Sequence, residues 1–254
     1  MTEIKKYLRR FIQAATACAL TIPTAAWANT QIDVGDWYEF IPSSRATLTK
    51  TVTNGGDATA YVSVSAEEVF ARDGFTPAAG TASPRLSATE RLTTGLVVSP
   101  SRLIIPRSMR QTVRLLIGGE RSHERYFRVS FIPVVPSEKD RFGLDDRQIK
   151  EATGDTKAGV AVLTGYGIMV TVAPESERYQ TQVQRTPQGW TVTNNGNATV
   201  RLLRPKTCQA GKCRYESSMH IRPGSSLAFT SDGGRSYSFT LKEGGRETPQ
   251  ILTF

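Results

Sequence analysis

From Gly159 to Ala173 the chain reads GVAVLTGYGIMVTVA, with bulky apolar residues on alternate positions: Val160, Val162, Tyr166, Ile168, Val170 and Val172, interrupted only by Thr164. The intervening Ala161, Leu163, Gly165, Gly167, Met169, Thr171 and Ala173 are mostly smaller. A period of two places the two sets on opposite faces of a strand, whereas a helix would scatter the large residues around its circumference. The stretch predicts one strand, about 50 Å long at roughly 3.3 Å per residue. That far exceeds a usual strand of about five or six residues. A strand that outruns its own sheet is either covered by neighbours or open to another chain.

The chain around it reads as strands and turns. Ile32 to Ile41 and Ala46 to Thr53 are extended segments, ending at Asn54-Gly55-Gly56-Asp57, and Ala60 to Phe70 alternates in part. Asn-Gly between such runs predicts a β-hairpin. Asp73 to Leu92 is rich in small and polar residues without periodicity and predicts a long surface loop. Leu96 to Val98, Arg102 to Ile105, Arg110 to Ile117 and Arg125 to Val135 are further strands, with Pro100 and Pro106 suiting turns and edges. Glu138 to Lys157 is densely charged with no apolar face and predicts a solvated loop joining two neighbouring strands. Past Pro174-Glu175-Ser176-Glu177 the strand pattern resumes: Tyr179 to Gln184, Trp190 to Thr193, a turn at Asn194-Asn195-Gly196-Asn197, Thr199 to Leu203, Arg214 to Ile221, Ser226 to Thr230, Tyr237 to Leu241 and Gln250 to Phe254. Many short strands with regular turns, twice over, predict an all-β chain of two sandwich domains divided near Pro174, residues 29–173 and 174–254. No helix is predicted.

Composition changes the picture in one respect, the compartment. Residues 1–28 carry Lys5, Lys6, Arg9 and Arg10, then the apolar run Phe11 to Leu20, then Ala26-Trp27-Ala28. This is the secretory pattern of basic segment, short apolar segment and A-x-A site, with an apolar run too short for a stable membrane anchor. Its four basic residues less Glu3 take three charges from the net +9, leaving the rest spread along the chain. A distributed basic surface suits solubility or steering toward an acidic partner rather than nucleic acid. Cys18 leaves with the leader, and in an oxidising compartment Cys208 and Cys213 predict a disulfide closing the loop CQAGKC, which fixes a local hairpin. No metal or cofactor is expected, because His123 and His220 form no ligand motif with this Cys spacing. Enzyme chemistry finds no foothold: there is no G-x-S-x-G elbow or phosphate-binding glycine loop, and Glu67-Glu68 and Asp145-Asp146 are adjacent pairs that cannot converge as dyads on a strand. Asn197-Ala198-Thr199 fits a glycosylation sequon, but turn chemistry accounts for it.

In order and spacing, IDVGDWYEF, TLTKTVTNGGDAT, LVVSPSRLIIPRSMRQTVRLL, ERYFRVSFIPV, GIMVTVAP, WTVTNNGNATVRLL and CQAGKC resemble the periplasmic pilus chaperones, in particular the alternative chaperone-usher branch that serves the enterobacterial common pilus. The resemblance spans nearly the whole chain after the leader. It implies two immunoglobulin-like domains set as an L. It also implies a periplasmic, non-catalytic role: holding pilin subunits by lending a strand to their incomplete sandwiches, and delivering them to an outer-membrane usher. Partners would be pilins and the usher, not nucleic acid or the bilayer interior, with self-association possible when free.

Counting back from Pro174, the resemblance puts the donor face at Val160, Val162, Thr164, Tyr166 and Ile168, with Val170 and Val172 left to the chain's own core. The competing reading is that all of these fill the chain's own core. The commoner branch grips the pilin's terminal carboxylate with a basic residue near the end of the first strand and another on the donor strand. Here those positions align with Tyr38 and Met169, neither of which can do so. The anchor expected instead is Arg128, with Arg125 as the alternative and Arg45, in a turn, as a weaker one, since an Arg fork suits a carboxylate. A second function class stays open, a structural or adhesive pilus or surface protein of two such domains. Against it, Asn29 to Gly35 is too short and polar to be a pilin's donor extension.

Overall fold

The computed structural model describes residues 30–69, 95–140, 142–154, 163–230 and 234–253. The predicted leader, the loop from Asp73 to Leu92, and Val160 and Val162 lie outside these residues.

Among the described residues nine strands come before the linker: β1 (Ile32–Asp33), β2 (Tyr38–Ile41), β3 (Thr47–Asn54), β4 (Ala60–Glu68), β5 (Leu96–Ser99), β6 (Arg102–Ile105), β7 (Arg110–Ile117), β8 (Arg125–Pro133) and β9 (Tyr166–Val172). They form two sheets, β1-β3-β7-β5 and β2-β9-β8-β4-β6. The inward residues of the two sheets close one core. Val52, Val113 and Leu115 come from the first, and Val62, Phe127, Val129, Phe131, Ile168, Val170 and Val172 from the second. Each such side chain contributes on the order of 1.5–3 kcal/mol by leaving water.

Eight strands follow among the described residues: β10 (Thr181–Thr186), β11 (Gly189–Asn194), β12 (Val200–Gln209), β13 (Lys212–Tyr215), β14 (Met219–Ile221), β15 (Ser226–Thr230), β16 (Ser236–Glu243) and β17 (Arg246–Leu252). Their sheets are β10-β11-β15 and β13-β12-β16-β17, with β14 also pairing β12. A separate core holds Val192, Val200, Leu202, Ile221, Phe229, Phe239, Leu241 and Leu252. The all-β, two-sandwich architecture is the one the alternation predicts.

Three local expectations are corrected. The extended segment Ile32 to Ile41 is two strands in opposite sheets: β1 runs antiparallel to β3, and β2 runs parallel to β9. The chain crosses between them at Gly35, whose φ of 66° favours glycine. The Gly35 amide donates to Asp33 Oδ1 at 2.8 Å, and the buried Lys50 ammonium holds the crossing by bonding the Asp36 carbonyl at 2.7 Å and the Glu39 carboxylate. Asn54-Gly55 is not a hairpin, because β3 and β4 belong to different sheets and the turn is an arch over the core. Asn54, fully buried, forms the keystone: its Nδ2 donates to the Ala58 and Ile105 carbonyls and its Oδ1 accepts from Gly56 N. Asn194 does the same between β11 and β12, with Ala198, Ile221 and Gly196 as its partners. TVTNGGDATA and TVTNNGNATV are therefore one structural motif used twice.

The charged segment after β8 contains a helix, α1 (Asp146–Gly154). Asp145 and Gln148 form a reciprocal cap, Gln148 N donating to Asp145 Oδ1 at 2.8 Å and Asp145 N to Gln148 Oε1 at 2.9 Å. That capping signal is present in the sequence as D-D-R-Q. The predicted disulfide is present, joining Cys208 and Cys213 directly across the β12–β13 hairpin. Positive φ at Ala210 (49°) and Gly211 (76°) gives the two-residue turn that right-twisted strands favour.

Candidate functional site

Among the described residues of the Gly159 to Ala173 stretch, the strand is the seven-residue β9, and residues 163–165 precede it without regular structure, so the single strand predicted is interrupted there. Ile168, Val170 and Val172 are each 0% exposed in the first core, and Tyr166 packs partly against it. Ile168 is therefore not available to a partner, which corrects its assignment to the donor face. Tyr166 sits at the boundary, while Thr164 is exposed. Alternation identified the two faces of this strand but not where the core begins to claim one of them.

The edges of β9 are also unequal. β8 pairs with it from Tyr166 to Val172, but β2 covers the other edge only from Met169 onward, where Met169 N donates to Trp37 O at 2.8 Å. Among the described residues, the Gly165 to Ile168 side of that edge has no strand partner. It carries no charge and no proline, the usual defences of an exposed edge.

On the outer face of the same sheet, cross-strand register lines up Tyr38, Met169, Arg128 and Glu67. The two positions that align with the resembling family's basic pair thus sit side by side, next to Arg128. Arg128 is 42% exposed and its Nη2 donates to Glu67 Oε2 at 3.3 Å. Its stem lies over Gly167, where an added Cβ would come within 3.8 Å of Arg128 Cδ. The small odd positions of β9 therefore leave room for the guanidinium on this face.

Arg125 is placed differently. It is buried and holds Glu68 in a bidentate pair, Nε to Oε1 at 2.8 Å and Nη2 to Oε2 at 2.7 Å, with Nη1 on the Gly118 carbonyl. A residue so committed cannot receive a second carboxylate, and Arg125 is withdrawn as an anchor. Arg45 is exposed in its turn and lends its carbonyl to Arg121.

Arg121 was invisible to sequence reasoning, because it lies between strands with no pattern around it. It is buried and distributes its donors over backbone carbonyls: Ala173 from Nε at 2.8 Å, Pro42 from Nη2 at 3.0 Å and Arg45 from Nη1 at 2.8 Å. It therefore ties the ends of β2 and β9 together where the chain leaves the first sandwich. Burial lowers its pKa, partly offset by the nearby Glu177 and Glu175. Glu177 accepts from Ser43 N and from Tyr179 OH at 2.7 Å. Burial would raise its pKa, but these hydrogen bonds win and hold it below the ordinary carboxylate value.

Two more contacts join the sandwiches beside the outer face. Glu124, buried, accepts from Thr199 N at 2.6 Å, from Thr199 Oγ1 and from Tyr126 OH. Burial raises its pKa despite those bonds. His220 meets Tyr38 and Phe40 at ring separations of 4.6 and 5.2 Å. Its pKa is pushed down to about 4 by burial and by the neighbouring Arg201. Arg201 lies over the Phe40 ring at 4.2 Å, and Arg222 lies 5.8 Å from the Tyr126 ring. The outer face of β2, β9 and β8 therefore forms one wall of a cleft whose other wall belongs to the second sandwich. Among the described residues no cluster of His, Cys, Asp and Glu could hold a metal. Around the cleft stand cations with their neighbouring carboxylates, aromatic rings and an open strand edge.

No family model matches the chain. It is similar to the probable fimbrial chaperone EcpB of Escherichia coli O157:H7 (strain EC4115 / EHEC), at 25% identity over 202 residues covering 78% of this chain and 81% of that protein. It is similar also to the EcpB of Escherichia coli O1:K1 / APEC, at 26% identity over 204 residues with the same coverage. Among solved structures its fold resembles the class 5 fimbriae chaperone CfaA, with a TM-score of 0.53 at 16% identity over 88% of this chain and 98% of that one. The E. coli chaperone DraB gives 0.51 at 15% identity over 87% and 97%. A complex of Salmonella enterica SafA pilin with the SafB chaperone gives 0.52 at 13% identity over 88% and 96%. The likeness to pilus chaperones read from the sequence is thus met in curated relatives and in the two-domain fold.

Proposed function

We propose that this chain is a pilus-assembly chaperone of the periplasm, acting by binding rather than catalysis: it caps pilin subunits by donor-strand complementation and passes them to an outer-membrane usher. The observation that carries this reading is the uncharged edge of β9 from Gly165 to Ile168, without a strand partner among the described residues and adjoining the row that contains Arg128. An incoming strand can take main-chain hydrogen bonds from such an edge, while side-chain pockets fix its register. Val160, Val162 and Thr164 are the donor residues in this reading, and Ile168 is structural. Arg128 takes the subunit's terminal carboxylate from the row that Tyr38 and Met169 leave without a cation. The secretory pattern of residues 1–28 supports the compartment. The two sandwiches act as units divided at Pro174, residues 29–173 and 174–254.

Changing Val160 and Val162 together to Ser should reduce pilin capture at least tenfold, since each buried Val is worth on the order of 1.5–3 kcal/mol. Thermal unfolding of the free chain should be unchanged. Arg128→Ala should abolish recovery of the complex from periplasm while circular dichroism shows a folded protein. Full capture by the double Ser variant would overturn the donor-strand reading, and full capture by Arg128→Ala would remove the anchor assignment alone.

A further inference from the structure

The two buried arginines at the linker end of the first sandwich, Arg121 and Arg125, are saturated. Arg121 spends its donors on backbone carbonyls and Arg125 spends its own on Glu68 and the Gly118 carbonyl. Arg201 differs. It is partly buried and lies over Phe40 at 4.2 Å, yet among the described residues its guanidinium makes no hydrogen bond or ion pair. A planar guanidinium laid on a ring keeps its N–H edge free to donate in that plane, and the ring restricts the side chain before any partner arrives.

Its cross-strand neighbours are a histidine and a lysine, and Glu247 is the nearby acid. In the register of the second sandwich Arg201 stands between His220 on β14 and Lys242 on β16. Lys242 is occupied by Glu247, both in register and by a hydrogen bond. His220 is held neutral against Tyr38 and Phe40. Arg201 is thus the cation of this row without an ion pair among the described residues, and it borders the outer face of β2.

Arg201 and Arg128 stand on separate rows. Phe40 is in register with Thr171, one two-residue step along β9 from Met169, which faces Arg128. β2 and β8 flank β9, so the two backbone sites are about 10 Å apart across the sheet and about 7 Å along it. Arg128 moreover leans away from β2, toward Glu67 on β4.

We propose that Arg201 is a second anion-recognising residue of the cleft, contributed by the second sandwich and preset on Phe40 to receive an acidic side chain of the bound subunit, separate from the terminal carboxylate. This rests on the chaperone reading above. It makes the second sandwich a reader of subunit charge as well as a wall of the cleft.

The test uses the full chain and one purified pilin, the subunit that co-purifies with the wild-type chain from periplasm. Wild type and Arg201→Met compete in equal amounts for a limiting quantity of that subunit, and mass spectrometry reads the ratio in the complex. Met retains an apolar stem on Phe40 without the charge, and Arg201→Lys retains the charge without the fork. The expected result is about a tenfold disadvantage for Arg201→Met, the loss of one charge-assisted hydrogen bond. Arg201→Lys should recover part of it, and the disadvantage should shrink in high salt. One acid-to-amide variant of the subunit should erase the difference between wild type and Arg201→Met. A ratio within twofold of unity, or a loss that no acidic residue of the subunit accounts for, overturns the inference while leaving the chaperone reading intact. Failure of the wild-type chain to capture any pilin sinks both.

Discussion

Asn54 and Asn194 hold equivalent corners in the two sandwiches, each bridging an arch between sheets with two donated bonds and one accepted bond. Around those corners the sandwiches diverge in how they treat their edges. In the second, the outer strand β17 carries Arg246, Glu247 and Pro249, β13 carries Lys212 and Arg214 and is tied by the disulfide, and β10 carries Gln182, Gln184 and Arg185. β14 and β15, three and five residues long, are uncharged. In the first, β9 runs past the cover of β2 with Gly165, Tyr166 and Gly167 on its uncovered side. Charge, proline and cross-links are what keep strand edges from pairing with other chains. Along β9 before Met169 these defences are absent among the described residues, which leaves an edge open to pairing. The lesson is that a repeated corner can fix the same fold twice while edge chemistry assigns the two copies different work.

The equivalence of the corners is the part with most at stake. Asn54→Ala and Asn194→Ala should each cost about 2–4 kcal/mol, because each leaves buried backbone groups unpaired. Chemical denaturation should show comparable losses, and a negligible loss in either variant would break the comparison. Next comes the disulfide. Reducing it, or changing Cys208 and Cys213 to Ser, should cost on the order of 2 kcal/mol, given the short loop it closes. Unfolding with and without reductant checks this, and pilin capture should be unaffected if the bridge only defends the second sandwich.

The joint between the sandwiches gives a smaller, pH-dependent effect. His220 has a folded-state pKa of about 4 against an unfolded value of 6.5, so the unfolded chain takes up the proton first. The stability it contributes is present above about pH 6.5 and is lost as pH falls toward 4, by about 1–3 kcal/mol in all. Glu124 works in the opposite sense, since its raised pKa lets the folded chain bind a proton first over the carboxylate range. The difference between wild type and His220→Phe therefore isolates the histidine, and the variant should show the flatter acid limb in thermal melts from pH 7 to 4.5. Smallest of all is Glu67→Gln. Releasing Arg128 from an ion pair that is about 40% exposed on both sides should raise pilin capture about two- to fivefold without changing stability measurably. A decrease would mean that Glu67 positions Arg128 and does not compete for it.

Much of this was legible along the chain, residue by residue. Alternation in Arg125 to Val135 and in Tyr166 to Val172 specified strands and their two faces, and CQAGKC specified its hairpin. D-D-R-Q announced a helix start that charge density in the surrounding segment concealed. The Asn-Gly turn was read as a hairpin because its local chemistry suits either a hairpin or an arch, and only the sheet membership of β3 and β4 separates them. Arg121 gave no signal at all, since carbonyl partners leave no mark in a sequence.

By itself, then, the sequence determined strand positions, facial alternation, the disulfide and the likeness to pilus chaperones, because these depend on spacing along one chain. Only the tertiary structure decided that Ile168 belongs to the core, that Arg125 is spent on Glu68, and that Arg128 and Arg201 border the cleft on separate rows. Periodicity says that a strand has two sides. Which side is inside, and which cation is already paired, depends on neighbours that arrive from distant parts of the chain.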